Sequence, residues 1–490
     1  MRFIDRISEM ETLEREYRRD AASMVIIYGR RRVGKTELIR YFIKDKPALY
    51  FLATEEAEAM NREAFKEQVA DYLDSELMRG SSIDRWELIF QQLVMDIGDK
   101  RMVIVIDEFQ YIGKNNPAFL SVFQRVWDTI LSRTNVMVIL SGSLVSMMMD
   151  QTLNYDAPLY GRRTAQIRLR PISFSYYHEF FDKELSEEEL IKCYSLTGGV
   201  PKYVDIFQYS NDWRDAVRCS ILNSSNYLFE EPNFLLQKEV KDIGSYFSIL
   251  RIVAAGNHKL SKIAAMLQQK QTNLPRYLKV LTDLDLLERE VPITESNPDK
   301  SKKGLYQIRD AFIRFWFKFV YPNRSYIEMG HPDVVMNRLE RNFIDSQVSF
   351  VYEQICREKL WTFSAEGKLP GLLEKVGRWW DSSHEIDVAG LSEEDNLLVL
   401  GECKFWSVPV GVNILTELEQ KAAFVNWHTG KRNTVYIIFS VNGYSEELAA
   451  VGKIREDVIL APFVAGKETG LANCSNEGGV CAWRLNGNSW

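Results

Sequence analysis

The first third of the chain alternates short, wholly apolar runs with longer stretches of mixed polarity. Residues 24–28 (MVIIY), 48–53 (ALYFLA), 101–106 (RMVIVI) and 135–140 (NVMVIL) are aliphatic and β-branched. Runs of that length read as strands buried on both faces. Residues 1–19, the segment from Glu37 and residues 54–98 instead follow helical spacing. Strand–helix alternation predicts an α/β fold: an open, mostly parallel sheet with helices on both faces. After residue 240 the pattern changes to helices from Tyr246, Leu260 and Thr272. Short strands then follow at 288–292 and 304–308, around the polar tip SNPDKSKK. Three helices and a two-stranded wing, in that order, predict a winged helix-turn-helix.

Composition narrows the class. Hydrophobic residues make up 46% and charged residues 26% of 490 positions, so the chain is globular and long enough for about three domains. No apolar run approaches the ~18 residues of a membrane helix. The 311–320 run is broken by Arg314 and Lys318, and the charged N-terminus lacks the apolar centre of a signal peptide. The expected location is the cytoplasm, with no membrane partner. Cys193, Cys219, Cys356 and Cys403 sit at no metal-ligand spacing and read as reduced thiols. A net charge of -7 excludes a generally basic coat but not a local basic patch.

The most specific chemistry lies between the first strand and its helix. Residues 29–36 spell G-x-x-x-x-G-K-T: Gly29, Arg30, Arg31, Arg32, Val33, Gly34, Lys35 and Thr36, followed by Glu37. The glycines permit backbone angles that turn the loop amides inward, and the helix start adds positive potential. Lys35 is placed to reach the β- and γ-phosphates of ATP, and the Thr36 hydroxyl to hold Mg²⁺.

The 101–106 strand ends in Asp107-Glu108, putting two acids at the carboxyl edge of the sheet. Asp107 is the expected Mg²⁺ ligand and Glu108 the group that orients the attacking water. The 135–140 strand ends in Ser141-Gly142-Ser143. Ser143 is the first choice as a γ-phosphate reporter, with Ser141 second and a plain Gly-Ser turn the competing reading.

These motifs resemble a known family. FIDR, YGRRRVGKTELI, VIVIDEFQY, ILSGSL, APLYGRRTAQIRLRPISF and TGGVPKY are similar to stretches of the archaeal-type ATPases, within the wider AAA+ and STAND-like P-loop group. The resemblance implies ATP binding and slow hydrolysis coupled to a conformational change. It implies that Arg162 and Arg163 of PLYGRR lie near the nucleotide or a neighbouring subunit. It also implies that Pro201 of TGGVPKY contacts the base from a small helical lid. YQIRDAFIRFWFKFVYP resembles the bridge before a C-terminal domain often fused to these ATPases.

In the C-terminal part, GRWWDSSHEIDVAGL and LLVLGECKF form a hairpin about the turn SEEDN, with a further strand at 435–439. Alternation puts Glu385 and Asp387 on one face, and Glu402 and Lys404 on one face with Cys403 opposite. Two carboxylates can hold Mg²⁺ and a lysine can polarise water or steady a phosphate. The set is similar to the PD-(D/E)XK nuclease superfamily, with Glu353 on the preceding helix as a further metal ligand; Ile386 stands where the proline of the name would be. Lys421 is placed to face the same site.

The expected organisation is an ATPase domain with lid (1–205), a helical connector (206–239), a winged helix with aromatic bridge (240–335), a smaller α/β nuclease-like domain (336–465) and a flexible tail (466–490). Two readings of the C-terminal half stay open. In one, Lys270, Arg276, Lys279, Lys302 and Lys303 help bind DNA, which the nuclease-like site can cut. In the other, the modules of a signalling ATPase bind a protein partner or a second copy and never cut.

Overall fold

The computed structural model describes residues 3–462; the expected tail lies outside them. The chain divides into two compact units, Met1–Val291 with Asn297–Val351 and Pro292–Ser296 with Tyr352–Trp490.

The first unit is built on a five-stranded parallel sheet: β1 (Ser23–Tyr28), β2 (Ala48–Leu52), β3 (Met102–Asp107), β4 (Val136–Gly142) and β5 (Ala165–Arg168), in the order β2-β3-β4-β1-β5. The inner strands β1, β3 and β4 are buried along their whole length, as their continuous apolar runs require. Val25, Ile27, Val103, Val105, Met137 and Ile139 face one side and pack against Leu13, Leu38, Ile39 and Phe42 of the helices Ile7–Tyr17 and Lys35–Ile43. On the other side Phe51 of β2 meets Phe65, which begins an aromatic stack through Phe90 and Phe123. Both faces are therefore covered, as expected for this fold class. The edge strand β5 was not foreseen: AQIR is too short and polar to stand out, and it forms because β1 offers it a partner.

Beyond the sheet come the helices Glu187–Thr197 and Pro201–Phe207, the connector helix Tyr227–Glu239, and three helices at Ile243–Ala254, Leu260–Met266 and Pro275–Asp283. An antiparallel pair follows, β6 (Leu287–Glu290) with β7 (Leu305–Ile308). β6 ends two residues earlier than expected, since Pro292 has no N–H to extend the ladder. Ile293 instead belongs to the second unit, where its amide donates to the Arg378 carbonyl at 2.9 Å. The aromatic run after β7 is core: Trp316 is fully buried and its indole N–H donates to the Phe229 carbonyl at 2.8 Å. Phe247 packs on Trp316, Phe317 and Tyr321.

The second unit is a mixed five-stranded sheet, β8 (Lys375–Trp380), β9 (Glu385–Ser392), β10 (Leu397–Lys404), β11 (Asn433–Ser440) and β12 (Val458–Pro462), ordered β12-β11-β10-β9-β8. β8, β9 and β10 pair antiparallel, and β10, β11 and β12 parallel. The helix Val412–Ala422 covers it through Leu418 and Ala422 on Leu398 and Leu400. Among the described residues the cysteines are free thiols, and no helix is long and apolar enough to cross a membrane.

Candidate nucleotide site and a second acidic centre

The phosphate loop depends on its glycines. Gly29 has φ +153°, and a Cβ there would sit 2.3 Å from the Leu169 carbonyl oxygen; only glycine lets the loop pass the end of β5. Lys35 is buried, and its ammonium donates to the carbonyls of Gly29 at 2.7 Å and Arg30 at 3.0 Å. Burial holds this lysine down to about 8, against the opposing pull of Glu108, Asp107 and Glu239. Arg6 of FIDR braces the loop from outside, donating to the carbonyls of Val33 at 3.0 Å and Arg170 at 2.8 Å.

Thr36 and Asp107 lie together, with the Thr36 hydroxyl 3.0 Å from Asp107 Oδ2. The Tyr50 hydroxyl donates to the same oxygen at 2.6 Å. A hydroxyl and a buried carboxylate at a phosphate loop fit Mg²⁺, which takes few protein ligands beside phosphate oxygens. Bound there, it would neutralise charge on the β- and γ-phosphates.

Glu108 adopts φ +54°, a left-handed conformation that costs a non-glycine residue on the order of 1 kcal/mol. Its Oε2 accepts from the Ser143 hydroxyl at 2.7 Å and the Ser143 amide at 3.3 Å, and from Gln110. Ser143 is thus joined to Glu108, while the Ser141 hydroxyl is buried inside β4. A phosphate drawing on Ser143 would act on Glu108 through this bond.

Pro201 opens the helix Pro201–Phe207 and lines a small recess with Ile4, Val33, Gly34, Ile172 and Phe180. Gly199, at φ +68°, lets the turn before this helix approach Ile172: its carbonyl accepts from Ile172 N at 2.8 Å, and a Cβ would lie 2.0 Å from the Ile172 oxygen. Arg162 makes a two-armed pair with Asp128, both bonds 2.8 Å, and Arg163 lies over the Tyr160 ring. In this conformation Arg162 is thus committed to Asp128.

The loop arginines reach carboxylates far away in sequence. Arg30 pairs with Asp310 at 2.5 Å and Arg32 with Glu231 at 2.6 Å, while Arg31 donates to the Tyr111 hydroxyl at 2.8 Å. Tyr203 donates to Glu231 at 2.8 Å. The connector helix ends in Glu239, whose Oε1 accepts from Val145 N at 3.4 Å and which lies within electrostatic reach of Lys35 and Arg31. Motif reading missed Asp310, Glu231, Glu239 and Tyr50. Asp285 pairs with Arg168 at 2.9 Å and with Arg309 at 3.2 Å.

In the second unit the β9–β10 ladder runs to Val388–Gly401 and then opens. There the Asp387 carboxylate accepts from Cys403 N at 3.0 Å. Lys404 donates to Glu402 Oε2 at 2.6 Å and lies 3.8 Å from Asp387, and Lys421 donates to Glu402 Oε1 at 2.7 Å. Burial and then Glu402 push Asp387 above the usual carboxylate range; Lys404 and Lys421 outweigh burial and hold Glu402 below it. Glu353 lies 3.8 Å from Arg378 and 3.9 Å from Arg357. Among the described residues no three His, Cys, Asp or Glu side chains gather to hold a metal. The acidic centre is therefore a pair, Asp387 and Glu402, with two lysines.

Comparison with known proteins matches two stretches of the chain. Residues 3–207 match the family described as an ATPase domain predominantly from Archaea, and residues 316–421 match a family of archaeal and bacterial proteins of unknown function. The Methanocaldococcus jannaschii protein MJECL04 is 34% identical over 403 residues, which cover 82% of this chain and 87% of the relative. The ATP-binding protein MJ0423 of the same organism is 50% identical over 44 residues, 9% of this chain and 75% of that protein. The Walker-type ATPase PABY2304 of Pyrococcus abyssi superposes with a TM-score of 0.49 at 20% identity, covering 64% of this chain and 96% of its own. With the phosphate loop, Asp107 and Glu108 in place, the chain belongs to the family of MJECL04 and carries an archaeal-type ATPase domain over residues 3–207.

Proposed function

We propose that ATP binding and hydrolysis in this protein control a C-terminal half that binds DNA and cuts it at Asp387, Glu402 and Lys404. The observation that carries the reading is the convergence of Lys404 on Glu402 at 2.6 Å and Asp387 at 3.8 Å where the β9–β10 ladder opens. Two adjacent carboxylates of this kind suit Mg²⁺, which binds through one or two acids plus substrate phosphates. Lys404 and Lys421 would then turn from Glu402 to the scissile phosphate.

The helices Ile243–Ala254, Leu260–Met266 and Pro275–Asp283 with the β6–β7 pair follow the order of a winged helix. Exposed Lys270, Arg276, Lys279, Lys302 and Lys303 supply phosphate contacts. Arg30–Asp310 and Arg32–Glu231 support a path from the nucleotide to these elements, since both pairs join the phosphate loop to segments beside them.

The test is a supercoiled plasmid with Mg²⁺ or Mn²⁺, with and without ATP. Nicking that responds to ATP and disappears in Lys404→Ala supports the reading. No nicking, or nicking unchanged in Lys404→Ala, overturns cleavage at this centre. One observation favours a signalling ATPase whose C-terminal modules bind protein and do not cut: the net charge of -7. On that reading, DNA affinity is insensitive to Arg276→Ala with Lys279→Ala.

A further inference from the structure

A pocket of about 530 Å³ opens in the first unit between the end of the helix Ile243–Ala254 and the helical run after β7. The charged side chains that line it are Arg251, His258, Arg314 and Lys318, with no Asp or Glu among the lining residues. Arg314, Phe317, Lys318 and Tyr321 recur at i, i+3, i+4 and i+7, so one helical face carries two cations and two aromatic walls. Lys318 donates to the Ser346 carbonyl at 3.0 Å, and Arg314 donates to the same oxygen at 3.3 Å. Burial, together with the neighbouring Arg314, holds the Lys318 ammonium down to about 8. Across the pocket the His258 ring nitrogen Nδ1 lies 3.0 Å from the Tyr306 carbonyl. Gly256, at φ +91°, has nothing within 4 Å of its missing Cβ, which leaves the rim open.

The carbonyl end of the helix Ile243–Ala254 faces the same space and offsets part of this charge. A helix end contributes only about half an elementary charge, against the positive charges of Arg251, Arg314 and Lys318. The balance is cationic in a partly desolvated recess, where an anion is worth more than in bulk water. The aromatic walls and the volume suit a phosphorylated ligand rather than a simple halide.

We propose that this pocket binds a phosphoryl group, carried by a free nucleotide or by the end of a nucleic-acid strand, at a site separate from the phosphate loop. The two sources share the chemistry of a terminal phosphate, met by the planar donors of Arg251 and Arg314 and the point charge of Lys318.

The test uses the full-length protein carrying Lys35→Ala, which removes phosphate-loop binding. Calorimetric titrations are made with pyrophosphate, ADP, and one single-stranded oligonucleotide with and without a 5′-phosphate. Saturable binding of a phosphoryl probe is expected, weakened about tenfold or more by Lys318→Met and retained by Lys318→Arg. Tighter binding of the 5′-phosphorylated oligonucleotide than of its 5′-hydroxyl form and of pyrophosphate assigns a strand end. Equal or tighter binding of pyrophosphate or ADP assigns a free nucleotide. No saturable binding of any probe, or binding unchanged in Lys318→Met, overturns the site. Should Lys318→Met fail to fold, the exposed Arg251→Gln makes the same comparison.

Discussion

Asp310 closes a buried ion pair with Arg30 at 2.5 Å while its other oxygen caps the helix Ala311–Phe315, accepting from Ile313 N at 2.6 Å. One carboxylate thus holds both the phosphate loop and the start of the aromatic run. Burial opposes the charge on Arg30, but Asp310 outweighs it and the guanidinium stays above its ordinary range. Removing one partner strands a buried charge, which costs about 3–5 kcal/mol. Asp310→Asn is therefore expected to destabilise the protein strongly in urea unfolding. Arg30→Met combined with Asp310→Asn should cost less than the two single changes summed. Additive losses would mean that the pair is not coupled.

Lys35→Ala is expected to abolish measurable ATP affinity by calorimetry. Glu108→Gln should bind ATP as the native protein does and lose about 10²–10⁴-fold in hydrolysis, the usual worth of a positioned acid–base group. Ser143→Ala, which frees Glu108 Oε2 from its 2.7 Å bond, should also slow hydrolysis with affinity preserved. Unchanged turnover in Ser143→Ala would contradict the link between the two residues.

Glu239 gives the first unit a pH dependence near neutrality. Burial pushes its carboxyl from 4.5 up to about 7, against the opposing pull of the Val145 amide, Lys35, Arg31 and the Ser146 amide. A folded-state value above the unfolded one means that the native protein binds more protons in this window. Stability therefore falls as pH rises from about 4.5 through about 7, by at most about 3 kcal/mol. Glu239→Gln should flatten that slope in urea titrations at a series of pH values. An unaltered slope would remove Glu239 as its source.

The two acids of the second unit should respond oppositely to neutralisation. Asp387 is buried beside Glu402, so Asp387→Asn is expected to be neutral or stabilising in metal-free buffer. Glu402→Gln leaves Lys404 and Lys421 facing one another without their shared partner and should lower Tm. Added Mn²⁺ should raise Tm in the native protein and fail to do so in Asp387→Asn. A Mn²⁺ shift that survives Asp387→Asn would place the ion elsewhere.

Much of this architecture was legible along the chain. β1, β3 and β4 announce themselves because a strand buried on both faces must be apolar throughout. Gly29, Gly34, Lys35 and Thr36 must form a phosphate loop because few other residues satisfy its backbone angles and its ligand together. The spacing of Glu402 and Lys404 fixes a shared face because strand side chains alternate. These inferences need only a few consecutive residues and the geometry of one element.

Spacing could not disclose where Arg30, Arg32 and Arg162 send their charge. Their partners Asp310, Glu231 and Asp128 lie on other elements, and an ion pair is set by which surfaces the folded chain apposes, not by sequence distance. The same holds for Glu353, which helical position offered to the acidic pair and which lies beside Arg378 and Arg357. Periodicity tells which way a side chain leaves its own helix or strand. The partner it meets is decided by packing between distant segments, where burial makes each unpaired charge too costly to leave alone.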